Sequence, residues 1–311
     1  MDKKNLLIAS GLFAVLVIAA VGYTYNKTGV SQPDGEPTKM AVVASFYPLY
    51  YLSSQIGGDK AAVYNITPAG AEPHDYEPTA QDLARIEKSR LLVLNGGGLE
   101  AWAEDISKNI DPAATAVVVA GEGLMTGQVE EDGQRAADPH IWLSPQLAQR
   151  MADRITQAFV QADPANGEYY QANAQVLNAK LQGLDAEYRQ GLSDCASKSI
   201  ITSHAAFGYL AAAYGLTQVS ISGLAPEAEP SPQQLIGIAK FAKDNQVKYI
   251  FFESLVSPKL AETIANEVGA QTLVLDPLEG LSDAELAAGK DYLTEMRNNL
   301  ANLKTALACK Q

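Results

Sequence analysis

Three histidines and one aspartate lie at comparable places in the chain, each just beyond a short apolar run. His74 follows AAVYNIT, His140 sits in ADPHIWLSP after TAVVVAG, His204 directly follows SIITS, and Asp276 ends TLVLD. Three neutral imidazoles and a carboxylate form a tetrahedral donor set matched to a divalent ion such as zinc, with the carboxylate offsetting part of the charge. Taken singly, each histidine also has an ordinary explanation: simple exposure for His74, a turn cap for His140, a satisfied core position for His204. The shared placement is what suggests one site, because ligands of open α/β sheets bind outside the carboxyl ends of the strands.

The elements that must carry these residues alternate. MAVVASFY is β-branched and apolar, PLYYLSSQIGG has helical spacing, AAVYNIT is a second strand, and TAQDLARIEKS is a helix capped at Thr79. RLLVLNG and TAVVVAG complete four strands, and from Pro164 to Leu192 the apolar spacing predicts one continuous helix of about 29 residues, roughly 43 Å long. The alternation then resumes through KSIITS, LTQVSIS, VKYIFFE and TLVLD with helices between, and a final helix is expected from Ser282 to Ala308. This predicts an α/β fold of two lobes, each a mainly parallel four-stranded sheet with flanking helices, joined by one long helix. The expected divisions are an N-terminal lobe over 39–163, the linking helix over 164–193 and a C-terminal lobe over 194–311. Two of the four candidate residues come from each lobe, which would place the set in the cleft between them.

The first 25 residues differ from the rest. Lys3 and Lys4 precede an apolar run from Leu6 to Tyr25, which reads as an export element with the amino terminus left in the cytoplasm. Its length suits a membrane anchor, and Ala20-Val21-Gly22 suits cleavage, so both a tethered and a released form are compatible with it. No cysteine follows closely, which argues against a lipidated anchor. Residues 26–38, rich in Gly, Pro and polar side chains, read as a flexible tether. The two cysteines, Cys195 and Cys309, lie in the exported part, where an even count favours a disulfide. A net charge of −13 without any clustered Lys/Arg stripe excludes nucleic acid as a partner.

Several separated segments carry a family resemblance: EPHDYEPTAQD with LVLNGGGLEAW, DPHIWLSPQLA, TSHAAFGYLAAAYGL, GLAPEAEPSPQQL and TLVLDPLEGL. In these motifs and their order, from Val42 to Gly280, the chain resembles the zinc- and manganese-specific solute-binding proteins of ABC importers, cluster A-I. The resemblance implies two lobes joined by a long helix, one metal between them, and His74, His140, His204 and Asp276 as its ligands. It also implies delivery to an ABC permease in the cytoplasmic membrane, with the cytoplasmic ATPase as an indirect partner, by an extracytoplasmic protein expected to be monomeric. Many zinc-specific relatives have a histidine-rich loop before the second ligand. Here that loop reads EGLMTGQVEEDGQRAAD, a solvated segment in which only Glu130, Glu131 and Asp132 could gather ions. Relatives tuned to manganese often have a carboxylate where this chain has His204, so imidazole here favours Zn2+, with Mn2+ the alternative.

Glu253, ending VKYIFFE, is expected to face the cleft and accept the other N–H of a liganding histidine, and Asp75 beside His74 is a weaker candidate for the same role. A hydrolase would need an open fourth position on the ion, so a ligating carboxylate separates carrier from enzyme. A surface adhesin is a third class, which no repeat or adhesive motif supports.

Overall fold

Each lobe is wound from strand–helix units whose order determines which loops meet. The computed structural model describes residues 39–310 apart from 132, 133 and 229, so the expected export element and tether lie outside the described residues. The first lobe runs β1 (Met40–Ala44), α1 (Tyr47–Gly57), β2 (Ala61–Asn65), α2 (Ala80–Glu87), β3 (Leu91–Leu94), α3 (Ala103–Asn109) and β4 (Ala116–Val119). A hairpin of β5 (Gln128–Glu131) and β6 (Gln134–Ala137) follows, then α4 (Pro145–Ala162) and α5 (Gly167–Gly191). The second lobe runs β7 (Ser199–Thr202), α6 (Gly208–Tyr214), β8 (Thr217–Ser220), α7 (Pro232–Asp244), β9 (Tyr249–Phe252), α8 (Lys259–Val268) and β10 (Gln271–Val274). Two helices, α9 (Asp283–Ala287) and α10 (Tyr292–Ala306), end the described chain.

Both four-stranded sheets are wholly parallel, in the orders β2-β1-β3-β4 and β10-β9-β7-β8. Counted within its own lobe, the second order is the first one read from the other edge. Each lobe therefore reverses its winding direction beside its first strand, and the loops flanking that strand's carboxyl end frame a crevice. Strand alternation assigns the side chains to layers. In β1 and β3, Val42, Ala44, Leu91 and Val93 enter the main core, while Val43, Leu92 and Leu94 face the opposite side with Ile86 and Trp102. The main core crosses from one lobe to the other through Trp142, Tyr188, Leu278 and Tyr292, all essentially inaccessible.

The linking helix is shorter than its apolar spacing predicts. Pro164–Asn166 forms a 3-10 turn and the α-helix begins at Gly167, giving 25 residues and about 37 Å. Pro164 has no N–H to extend a ladder backwards, and the Asp163 carboxylate instead receives Asn166 Nδ2 and the Tyr170 hydroxyl, each at 2.7 Å. The expected single terminal helix is also two helices. Gly289 takes φ +75° between them, and each begins at its own cap: Ser282 in a reciprocal box with Glu285, and Asp291 accepting Thr294 N–H. The segment read as a solvated loop contains the β5–β6 hairpin, whose Asp132-Gly133 pair is a sequence signal for a tight turn.

Among the described residues, no helix is long and apolar enough to cross a membrane. Cys195 and Cys309 are joined across 114 residues, linking the chain just after α5 to the chain just after α10. Closing a loop of that size contributes about 4–5 kcal/mol in the chain-entropy view. The double variant C195S/C309S is expected to melt roughly 10 °C lower with unchanged zinc affinity. A melting curve superimposable on that of the native protein would contradict it.

Candidate metal centre

His74 is delivered by the loop between β2 and α2. The chain stays in register past β2, with Ile66 N–H on Ala44 O and Thr67 N–H on Ser45 O, then reaches the other lobe through Gly70 N–H to Leu281 O at 3.2 Å. Glu72-Pro73-His74 follows as a tight turn in which Glu72 Oε1 accepts the His74 backbone N–H at 3.2 Å. Thr79 then starts α2 through a capping box with Asp82, which also receives the Tyr76 hydroxyl at 2.6 Å.

His140 repeats the same sequence device. In Asp138-Pro139-His140, one carboxylate oxygen of Asp138 accepts both the backbone N–H of His140 at 3.0 Å and its ring Nδ1–H at 2.8 Å. His204 stands at the end of β7, and Glu253, at the end of adjacent β9, treats it identically: Oε1 accepts the backbone N–H at 3.2 Å and Nδ1–H at 2.7 Å. A proton held on Nδ1 leaves the Nε2 lone pair free for a metal and fixes the plane of the ring. Carboxylate partners also raise the basicity of the coordinating nitrogen.

The three Nε2 atoms converge on Glu279. Nε2 of His140 is 3.3 Å from that of His74 and 3.3 Å from that of His204, while Glu279 Oε1 is 3.4, 3.2 and 3.4 Å from His74, His140 and His204. Zinc bonds of about 2.0–2.1 Å would give a regular tetrahedron edges of about 3.3–3.4 Å. Glu279 Oε1 is buried without a hydrogen-bond partner of acceptable geometry, as an oxygen reserved for a cation would be. His140, His204 and Glu279 are closed off from solvent, whereas the His74 side chain remains 11% exposed and marks the rim.

Electrostatics in the metal-free state follow from this crowding. Burial alone would lower the His140 and His204 pKa values, but Asp138 and Glu279 around the first, and Glu253 and Glu279 around the second, outweigh it. His140 rises above the ordinary 6.5 and His204 well above it. Glu279 is held well below the usual carboxylate range: burial works against this, and the three imidazoles, His204 foremost, overcome it. Glu72 moves the other way, pushed up to about 9 by burial and the Glu279 charge.

Of the residues singled out from sequence, the structure brings together His74, His140 and His204, with Glu253 behind His204. Asp75 is exposed and faces no ligand. Asp276 is outside the group, because its own oxygens are engaged by Leu278 N–H at 2.7 Å and by the Ser254 hydroxyl. The fourth place is taken by Glu279, three residues further on, which the sequence reading did not select. Asp138 and Glu72 were also missed, although the recurrence of an acid-proline-histidine triplet could have revealed both.

Comparisons with known proteins place the chain among zinc-uptake proteins. The family described as "Zinc-uptake complex component A periplasmic" matches residues 42–306. The "High-affinity zinc uptake system protein ZnuA" of Bacillus subtilis is 42% identical over 316 residues, covering 97% of this chain and 98% of that protein. The "Zinc-binding protein AdcA" of Streptococcus pyogenes is 36% identical over 97% of this chain, which spans only 61% of its length. Among solved structures, the Zn(II)-bound ZnuA-like domain of Streptococcus pneumoniae AdcA superposes with a TM-score of 0.76 at 38% identity, covering 86% of this chain and 99% of that one.

Proposed function

From the premise that the chain belongs to the zinc-uptake complex component A family, we propose that it is the extracytoplasmic solute-binding component of an ABC importer and that its cargo is Zn2+. The observation that carries this reading is the convergence of His74, His140, His204 and Glu279, whose ligand atoms all lie within 4.8 Å of one another, with five of the six separations at 3.2–3.4 Å. Four protein donors close the coordination of the ion. A closed set suits capture, since activation of water for hydrolysis needs a vacant position. Three imidazoles also favour zinc over manganese, whose preference is for more oxygen donors.

In this reading a hydrated ion meets His74 at the rim, exchanges its waters for the buried nitrogens and Glu279, and is carried to a membrane permease driven by a cytoplasmic ATPase. The chain's own residues supply two things: a fixed donor geometry, through Asp138 and Glu253, and a dry surrounding that strengthens the ion–carboxylate attraction. Expected from elemental analysis is one zinc per purified chain. Competition at buffered free-ion levels should then show zinc excluding manganese. Equal retention of manganese, or turnover of an ester or peptide by the zinc-loaded protein, would refute the proposal.

A further inference from the structure

The acid-proline turn that presents His74 and His140 also occurs at Asp111-Pro112-Ala113, away from the cluster, and at Asp276-Pro277-Leu278, where it precedes the carboxylate of the cluster. Asp276 Oδ1 accepts Leu278 N–H at 2.7 Å, as Glu72 and Asp138 accept the backbone N–H of the histidines two residues after them. Leu278 is fully buried and takes φ +55°, a left-handed conformation rare for a side chain branched beyond Cβ and retained only where the surroundings impose it. Those surroundings are visible. Asn299 holds the backbone of Asp276 at both ends, accepting its N–H at 2.8 Å and donating to its carbonyl at 2.7 Å. Trp142 Nε1–H donates to Pro277 O at 2.7 Å from the other lobe, two residues after His140.

We infer that Asp276 is a positioning residue, whose carboxylate holds the Leu278 N–H and so secures the left-handed turn that aims Glu279 at the metal. The inference rests on the reading of Glu279 as a ligand and adds what sets its direction. A strand-end aspartate that looks like a donor thus acts one step back, through the backbone. Asparagine can replace it, because an amide oxygen also accepts the Leu278 N–H, whereas alanine cannot. Glycine at position 278 would adopt φ +55° without any side-chain penalty.

The test is zinc competition against a chromophoric chelator, with each variant first checked for a cooperative melt. D276A is expected to lose about 10–100-fold in zinc affinity, the range seen when a partner of a ligand is removed. D276N should stay within a few-fold of the native protein, and D276A/L278G should recover most of the loss relative to L278G alone. Cobalt(II) visible absorption should report a fourth protein donor in D276N and in the double variant, and a diminished tetrahedral band in D276A. D276N as weak as E279A would make Asp276 a ligand and overturn the inference. So would a folded D276A/L278G no tighter than D276A, even with E279A impaired as the parent reading requires. An E279A that binds zinc normally would overturn both.

Discussion

Replacing Glu279 by alanine is expected to weaken zinc binding by about two orders of magnitude. Four-donor zinc sites in small domains bind with about 10–16 kcal/mol, so one donor accounts for roughly 3 kcal/mol, and about 1.4 kcal/mol is a factor of ten. The consequence is wider than one lost bond. Glu279 Oε1 lies within 3.4 Å of all three imidazole nitrogens and is the only carboxylate in the group, so its removal leaves the ion facing three neutral donors and water. It also removes the charge that helps hold His140 and His204 in their protonated forms when metal is absent. E279A should therefore bind weakly and show a flatter pH dependence than the native protein. Chelator competition at two pH values reads both effects, and native-like affinity in E279A would exclude Glu279 as a ligand.

Zinc affinity of the native protein is expected to fall steeply with acidification, by up to about a hundredfold per pH unit once both raised histidines hold protons that the metal must displace. Since His140 and His204 lie above the ordinary 6.5, this fall begins above that value. Stability of the metal-free protein runs oppositely. A histidine raised by folding contributes stability that is full below its unfolded value, near 6.5, and disappears as pH rises through its folded value. Glu279, depressed by folding, contributes stability that is present above about 4.5 and lost as pH falls through its lowered value. The increase in melting temperature on adding zinc should therefore grow from pH 6 to pH 8, with proton release detectable by calorimetry in buffers of different ionisation enthalpy. A zinc affinity constant over that range would contradict the protonation scheme.

Much of the fold can be read from local pattern because its strands are short, apolar and bounded by polar or glycine residues, as in MAVVA, LLVL and YIFF. His204 and Glu253 were legible for the same reason, since each ends or directly follows such a run and so must lie on the crevice side. Glu279 was hidden because its direction depends on one backbone angle, at Leu278, which neither periodicity nor residue type encodes. Asp276 occupied the obvious strand-end position and drew the assignment to itself. Asp138 was hidden differently: it lies two residues from a histidine, a spacing that matters only once proline between them is seen to close a turn. The break between α9 and α10 turns on Gly289 and Asp291, a stop and a start signal placed so close that helical apolar spacing runs through both.

The continuity of the core through the seam between lobes limits how the cargo can leave. Prising the lobes apart would return Trp142, Leu278 and Tyr292 to water, each at a cost of about 1.5–3 kcal/mol, and would break the Trp142–Pro277 and Gly70–Leu281 bonds as well. The loop bearing His74 carries far less buried area, and His74 is the one member of the cluster that solvent touches. Departure is thus easiest as an unpeeling, in which the rim imidazole yields its place to an incoming donor while three bonds still hold the ion. A receiving protein that offers one nitrogen or oxygen at that rim would meet a partly released ion, and the rate of transfer would scale with the mobility of a single loop.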